Sequence, residues 1–253
     1  MNSRQIVIND QLLHFYHGAG EGPDVLLFLH GWRSDSTAWF LLLKELQKIS
    51  GSEIIALDLP GFGRSEMPKK DFTLTDYCYT VEQFIEKQSL KNPVLVGHSF
   101  GGRIVIKLAA ENSTHYPRVI LVDSAGIKPK PKKSLNILAK AVKPFFTPSW
   151  MQPLRRKIYH HLGAEDYVAT PRLQATYMRV IQEDLTPLLK KIIADTLLIW
   201  GEKDNDTPLR DGQAMQQAIK RSELHIIKNA GHYPFREQPK EVAQHIQSFL
   251  VKS

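Results

Sequence analysis

The sequence predicts an α/β fold: a mostly parallel, doubly wound sheet with helices on both faces and a helical cap inserted late in the chain. Three observations predict it. Short apolar runs alternate with helix-spaced segments along most of the 253 residues, as in successive strand–helix–strand units. Runs such as Asp24–Gly31 (DVLLFLHG) are apolar throughout instead of alternating, as strands covered on both faces are. The rhythm lapses once, from about Ile127 to Leu185, a gap too long for an ordinary connection in a compact domain. The length and the 42% hydrophobic share suffice for one large core and exclude a disordered or collagen-like chain.

The elements follow in order. Gln5–Ile8 and Leu12–Tyr16 flank the turn pair Asn9-Asp10 and read as a hairpin. Asp24–Gly31 is the first buried strand, followed by a helix over Thr37–Ile49 with Ser34, Asp35 or Ser36 as its cap. Ser52–Gly61 reads as the next strand, stopped by Pro60-Gly61, and a helix over about Thr75–Gln88 follows, capped by Thr73 or Thr75. The strand Pro93–Gly97, the helix Phe100–Glu111 and the strand Arg118–Asp123 complete this half. The alternation resumes with strand Thr196–Gly201, helix Arg210–Ile219, strand Glu223–Lys228 and helix Lys240–Leu250. The gap opens with KPKPKK, too rich in Pro and Lys for regular structure, and goes on to the helix-like LNILAKAVKPFF and LRRKIYHHL. It is expected to form a cap, residues 127–185, over a core made of residues 1–126 and 186–253.

Ligands of such sheets sit beyond the carboxyl ends of the strands, so the residues just past each apolar run carry the chemistry. Gly97-His98-Ser99-Phe100-Gly101 is a G-x-S-x-G elbow set between a strand and a helix. The turn is strained and pushes the serine hydroxyl into the open. Side chains at Gly97 and Gly101 would collide with the strand or the helix. The helix N-terminus also aims free N–H groups at the reacting centre.

A serine hydroxyl is a poor nucleophile until a base takes its proton. The order Ser…acid…His is met by Asp204, three residues after the strand-ending Gly201, and by His232 on the turn after the last strand. Asp206 and Asp123 compete for the acid position; Asp206 reads as exposed on its turn, and Asp123 as a support from the neighbouring strand end. Of ten histidines, only His30, His98 and His232 fall on strand-end loops, and His30 and His98 fit packing or hydrogen-bonding roles better. An oxyanion needs two donors, each worth ~3 kcal/mol of barrier. The N–H of Phe100 is one, and the N–H of Trp32, after the close-approach residue Gly31, is the other.

Five pieces in order, LHGW, DLPGFGRS, GHSFGG, GEKDNDTP and NAGHYPFREQP, make the chain resemble the α/β-hydrolase fold family over essentially its whole length. The resemblance implies an eight-stranded sheet, a cap after the sixth strand, and a Ser-His-Asp triad. Carried over by position, these are Ser99, Asp204 and His232, with Trp32 and Phe100 as oxyanion donors. A serine nucleophile argues against epoxide hydrolases and haloalkane dehalogenases, which need a carboxylate there. Carbon–carbon bond hydrolases often resemble GNSMGG with a tryptophan after the histidine, whereas this chain has GHSFGG and Tyr233. The expectation is a carboxylesterase acting on small-molecule esters of small to medium acyl chains. A carbon–carbon hydrolase, a perhydrolase and a hydrolase-like ligand receptor are the alternatives.

The formal net charge is +7, and nine Lys or Arg with no Asp or Glu fall between Lys128 and His161. A solvated outer face of the cap is the plain explanation. Steering of an anionic substrate or docking on anionic lipid are the sharper ones. Phe145, Phe146, Trp150, Met151 and Tyr159 could line an acyl pocket or pack the cap. No nucleic-acid motif, metal-ligand pattern or cofactor motif is present, so no cofactor, metal or nucleic-acid partner is expected. No apolar run approaches the ~18 residues of a membrane-spanning helix. With one cysteine, Cys78, and no signal-like start, the expected state is a cytoplasmic monomer or weak homodimer without stable membrane insertion.

Overall fold

The computed structural model describes residues 1–127 and 170–252. Asn9 and Asp10 both take positive φ, 48° and 58°, the two-residue turn whose twist suits a hairpin. They join β1 (Asn2–Ile8) to β2 (Gln11–Gly18), paired antiparallel with Ile8 opposite Gln11. The hairpin extends several residues beyond its expected ends. β3 (Val25–Leu29) is followed by a 3₁₀ turn at Ser36–Trp39, for which the Asp35 carboxylate caps Thr37 N–H, and then by α1 (Phe40–Ile49). The helix proper therefore starts three residues later than the spacing predicts, because the capped turn occupies its first positions.

β4 (Glu53–Leu57) stops well short of the expected Gly61. Asp58 leaves the sheet because its carboxylate collects the N–H groups of Ser36 and Arg64 and the Nδ1 of His14. α2 (Leu74–Lys87) starts at Thr73, which caps Asp76 N–H while the Asp76 carboxylate returns the bond to Thr73 N–H. β5 (Val94–His98), α3 (Phe100–Glu111) and β6 (Arg118–Val122) follow. After the undescribed stretch come a 3₁₀ turn (Pro171–Leu173), α4 (Gln174–Gln182) and the short α5 (Thr186–Leu189). The chain ends with β7 (Asp195–Gly201), α6 (Leu209–Ala218), β8 (Ser222–Ile227), the single turn α7 (Pro234–Glu237) and α8 (Pro239–Val251).

The eight strands form one sheet in the order β1-β2-β4-β3-β5-β6-β7-β8. β1–β2 and β2–β4 pair antiparallel, and every pairing from β4–β3 to β7–β8 is parallel. The uniformly apolar strands are explained by the two cores. In β3, Leu27 and Leu29 pack on one face with Phe84 of α2 and Val105 of α3, while Leu26 and Phe28 pack on the other with Leu42 of α1 and Ile246 of α8.

Leu185 N–H donates to Gly126 O at 3.1 Å, so the chain between β6 and β7 leaves and rejoins the core at one point. The helix-like segments 135–146 and 154–162, the basic run, and the five apolar candidates of the cap lie outside the described residues. Among the described residues no helix is long and apolar enough to cross a membrane.

Candidate active site

The site is built where β3, β5, β6, β7 and β8 end. Ser99 caps α3 with φ 49° and ψ −110°, a conformation that costs a non-glycine residue roughly 1–3 kcal/mol. Close packing around it is what holds it there. A Cβ on Gly97 would lie 2.6 Å from Gly101 O, one on Gly101 2.1 Å from Leu29 O, and one on Gly102 2.0 Å from Ser124 Oγ. Gly97 and Gly101 thus let β5, α3 and β3 touch through bare backbone, and Gly102 leaves room for the Ser124 side chain. A Cβ on Gly31 would meet Ser99 Cβ at 3.3 Å, which brings the Trp32 loop against the elbow.

His232, on the turn after β8, places Nδ1 2.8 Å from Asp204 Oδ2. Asp204 sits on the turn after β7, where its Oδ1 accepts the N–H groups of Asp206 and Thr207 at 2.8 and 3.1 Å. Thr207 Oγ1 lies 2.7 Å from Asp204 Oδ2. Burial alone would raise the Asp204 carboxyl, but the hydrogen bond and charge of His232, with the Thr207 hydroxyl, bring it down to about 2. A carboxylate on Nδ1 directs the Nδ1–H tautomer and leaves Nε2 as the basic nitrogen.

A cavity of about 490 Å³ opens over these strand ends, within the usual range for small-molecule sites. Ser99, His232, Trp32, Phe100 and Gly31 all line it, with Tyr177, Val180 and Ile181 of α4 on the far side. Asp204 is not on the cavity wall; it lies behind the imidazole. Asp206 is exposed and lines the cavity, while its N–H serves Asp204. The Phe100 N–H opens α3, where intrahelical acceptors are lacking. The Trp32 ring stands against Phe62, Phe100 and Tyr177, and its Nε1 donates to Thr170 Oγ1 at 3.2 Å.

His30 and His98 are buried structural groups. His30 donates from Nδ1 to Gly31 O at 2.7 Å and accepts Leu59 N–H on Nε2 at 3.0 Å. His98 donates from Nε2 to His232 O at 2.8 Å. Burial lowers both imidazoles, His98 strongly, so both are neutral. Among the described residues one set of three side chains lies close enough to share a metal ion: Asp123, Asp204 and His232. N–H and O–H donors already point at the Asp204 oxygens and at Asp123 Oδ1, where a cation needs bare acceptors.

A model of the alpha/beta hydrolase family matches residues 26–245. The chain belongs to the alpha/beta hydrolase family. This hydrolase-family chain is 24% identical over 268 residues to the uncharacterized hydrolase YugF of Bacillus subtilis (strain 168), covering 98% of this chain and 97% of that protein. It is 25% identical over 271 residues to the 2-hydroxy-6-oxo-6-phenylhexa-2,4-dienoate hydrolase of Comamonas testosteroni, covering 96% and 92%. Among solved structures, a bacterial membrane phospholipase A superposes with a TM-score of 0.80 at 27% identity, covering 99% of this chain and 86% of that chain.

Two parts of this α/β-hydrolase site escaped the sequence reading. Thr207 could have been found as the third residue after Asp204, the spacing at which a hydroxyl and an N–H both fold back on an aspartate. Arg103 gave no such signal. One helical turn past Ser99, it is buried and donates to the carbonyls of Val180 and Glu183, while Lys107 pairs with the Glu183 carboxylate. The helix that Ser99 opens thus grips the C-terminal end of α4, where cations are favoured.

Proposed function

We propose that this chain is a serine hydrolase that cleaves carboxylic esters of small to medium acyl chains. The observation that carries the reading is the 2.8 Å bond between His232 Nδ1 and Asp204 Oδ2, made by an imidazole that shares one cavity with a strained, cavity-facing Ser99. Ser99 Oγ attacks the ester carbonyl while His232 Nε2 takes its proton. The N–H groups of Phe100 and Trp32 receive the charge that develops on the carbonyl oxygen. His232 then returns the proton to the leaving alcohol, and Asp204, ionised throughout, stabilises the imidazolium in between. Water entering by the same route, deprotonated by His232, releases the acyl group and restores Ser99. Residues 127–185 act as the cap that shapes the acyl site. The enzyme is read as a cytoplasmic monomer or weak homodimer.

A second reading has one observation of its own: similarity along nearly the full length to a hydrolase acting on a carbon–carbon bond. The same serine, base and donors serve that reaction. Tyr233 in place of tryptophan after His232 favours the ester.

A fluorophosphonate probe tests the chemistry. It is expected to label Ser99 in the native chain and not in S99A, whose hydrolysis of p-nitrophenyl acetate is lost with the fold kept. Retained turnover by S99A overturns the assignment. A panel of esters of increasing chain length beside a vinylogous 1,5-diketone separates the two readings.

A further inference from the structure

Asp123, one residue past β6, is fully buried and held at φ 42°. Its Oδ1 accepts one hydrogen bond, Gly201 N–H at 2.9 Å, and its Oδ2 is buried without a donor. An oxygen of Asp123, an oxygen of Asp204 and a ring nitrogen of His232 all lie within 4.8 Å of one another. Two carboxyl groups this close together and out of water do not both ionise; one keeps a proton and gives it to the other. The proton belongs on the group with fewer donors. Asp204 has four neighbouring donors, His232 Nδ1, the Thr207 hydroxyl and two backbone N–H groups. Asp123 has one.

We infer that Asp123 is a neutral carboxylic acid whose proton bonds to Asp204, making it a positioning residue for the Asp204–His232 pair. It keeps the charge behind the imidazole at one rather than two. A second buried charge there would repel Asp204 and loosen its hold on the imidazole. Burial and the neighbouring Asp204 push the Asp123 carboxyl up to about 10, in line with the donor count. The charged groups that bear on it are Asp204, His232 and, from α7, Glu237. The inference builds on the serine-hydrolase reading for its consequence but not for the protonation itself.

Two measurements on the full chain separate them. Infrared spectra at pH 7 are expected to contain a protonated-carboxyl stretch, shifted in D₂O, that disappears in D123N and persists in S99A. Absence of that band in the native chain, or its survival in D123N, overturns the inference whether or not Ser99 is a nucleophile. Fluorophosphonate labelling of Ser99 is expected to slow about tenfold in D123A, which lacks the donor, and to recover to within about threefold of the native rate in D123N, which keeps one. D123N as slow as D123A also overturns it. Failure of the native chain to label overturns the functional reading instead, and the infrared band still decides Asp123. Should D123A not fold, the native-against-D123N comparison stands alone.

Discussion

His98 Nε2 donates to the carbonyl oxygen of His232 at 2.8 Å, with the two rings 4.7 Å apart. The residue before Ser99 therefore ties down the loop that carries the imidazole. Because His98 is buried and neutral, the tie does not depend on pH in the working range. In H98A the carbonyl loses its donor at a cost of about 1–3 kcal/mol, lowering Tm by about 2–4 °C for each kcal/mol. Labelling of Ser99 is expected to fall about tenfold as the imidazole drifts. A native labelling rate in a destabilised H98A would reduce the tie to packing.

Thr207 bonds the Asp204 oxygen that also faces His232. Replacing it by valine removes a hydrogen bond to a charged group, worth about 1.5–3 kcal/mol. The expected outcome for T207V is a kcat about tenfold lower with KM nearly unchanged, and recovery in T207S. Equal losses in the valine and serine variants would show that shape, not the hydroxyl, matters.

Arg103 bridges α3 to the end of α4 through Val180 O and Glu183 O. R103M keeps the apolar stem and removes the donors, leaving carbonyls to lose about 1–3 kcal/mol each. Hydrogen exchange over residues 174–182 is expected to rise, and KM to increase more than kcat falls. Unchanged exchange in that helix would mean that other contacts hold it.

Stability should vary with pH in two opposing ways. Asp204 moves from an unperturbed 3.8 to about 2 on folding, so it adds stability above about pH 4 that disappears as pH falls toward 2. Asp123 moves from 3.8 to about 10. It keeps its proton in the fold while the unfolded chain releases it, and so stability declines as pH rises from about 4. D123N cannot titrate, and its Tm relative to the native chain is expected to climb steadily from pH 4 to pH 8. A constant difference would mean that Asp123 ionises normally.

The strand and helix pattern was readable because each element buries its own apolar residues. β3 is apolar throughout since both cores claim alternate residues, and α3 and α2 match their spacing to within a residue or two. The starts and stops of α1 and β4 differ from expectation for one cause, a side chain that captures backbone N–H groups. Asp35 turns the start of α1 into a 3₁₀ turn, and Asp58 pulls the chain out of β4. For Asp35 the partner is two residues on, but Asp58 also draws on Ser36 and His14 from earlier strands and loops, and no hydrophobic periodicity encodes either capture.

The same division runs through the site. A serine between glycines at a strand-to-helix turn, an aspartate and a histidine after later strands, and the order in which they come are local and sequential facts, and they were enough to mark Ser99, Asp204 and His232. Which groups stand behind them is a matter of packing between strand ends. His98 reaching His232 O, Arg103 gripping α4 and Asp123 set beside Asp204 join residues that the chain separates and the fold brings together, whereas Thr207 folds back on Asp204 from three residues on. Hydrogen bonds act over about 3 Å whatever the distance along the chain, and where two carboxyl groups meet out of water, that contact sets which of them keeps its proton.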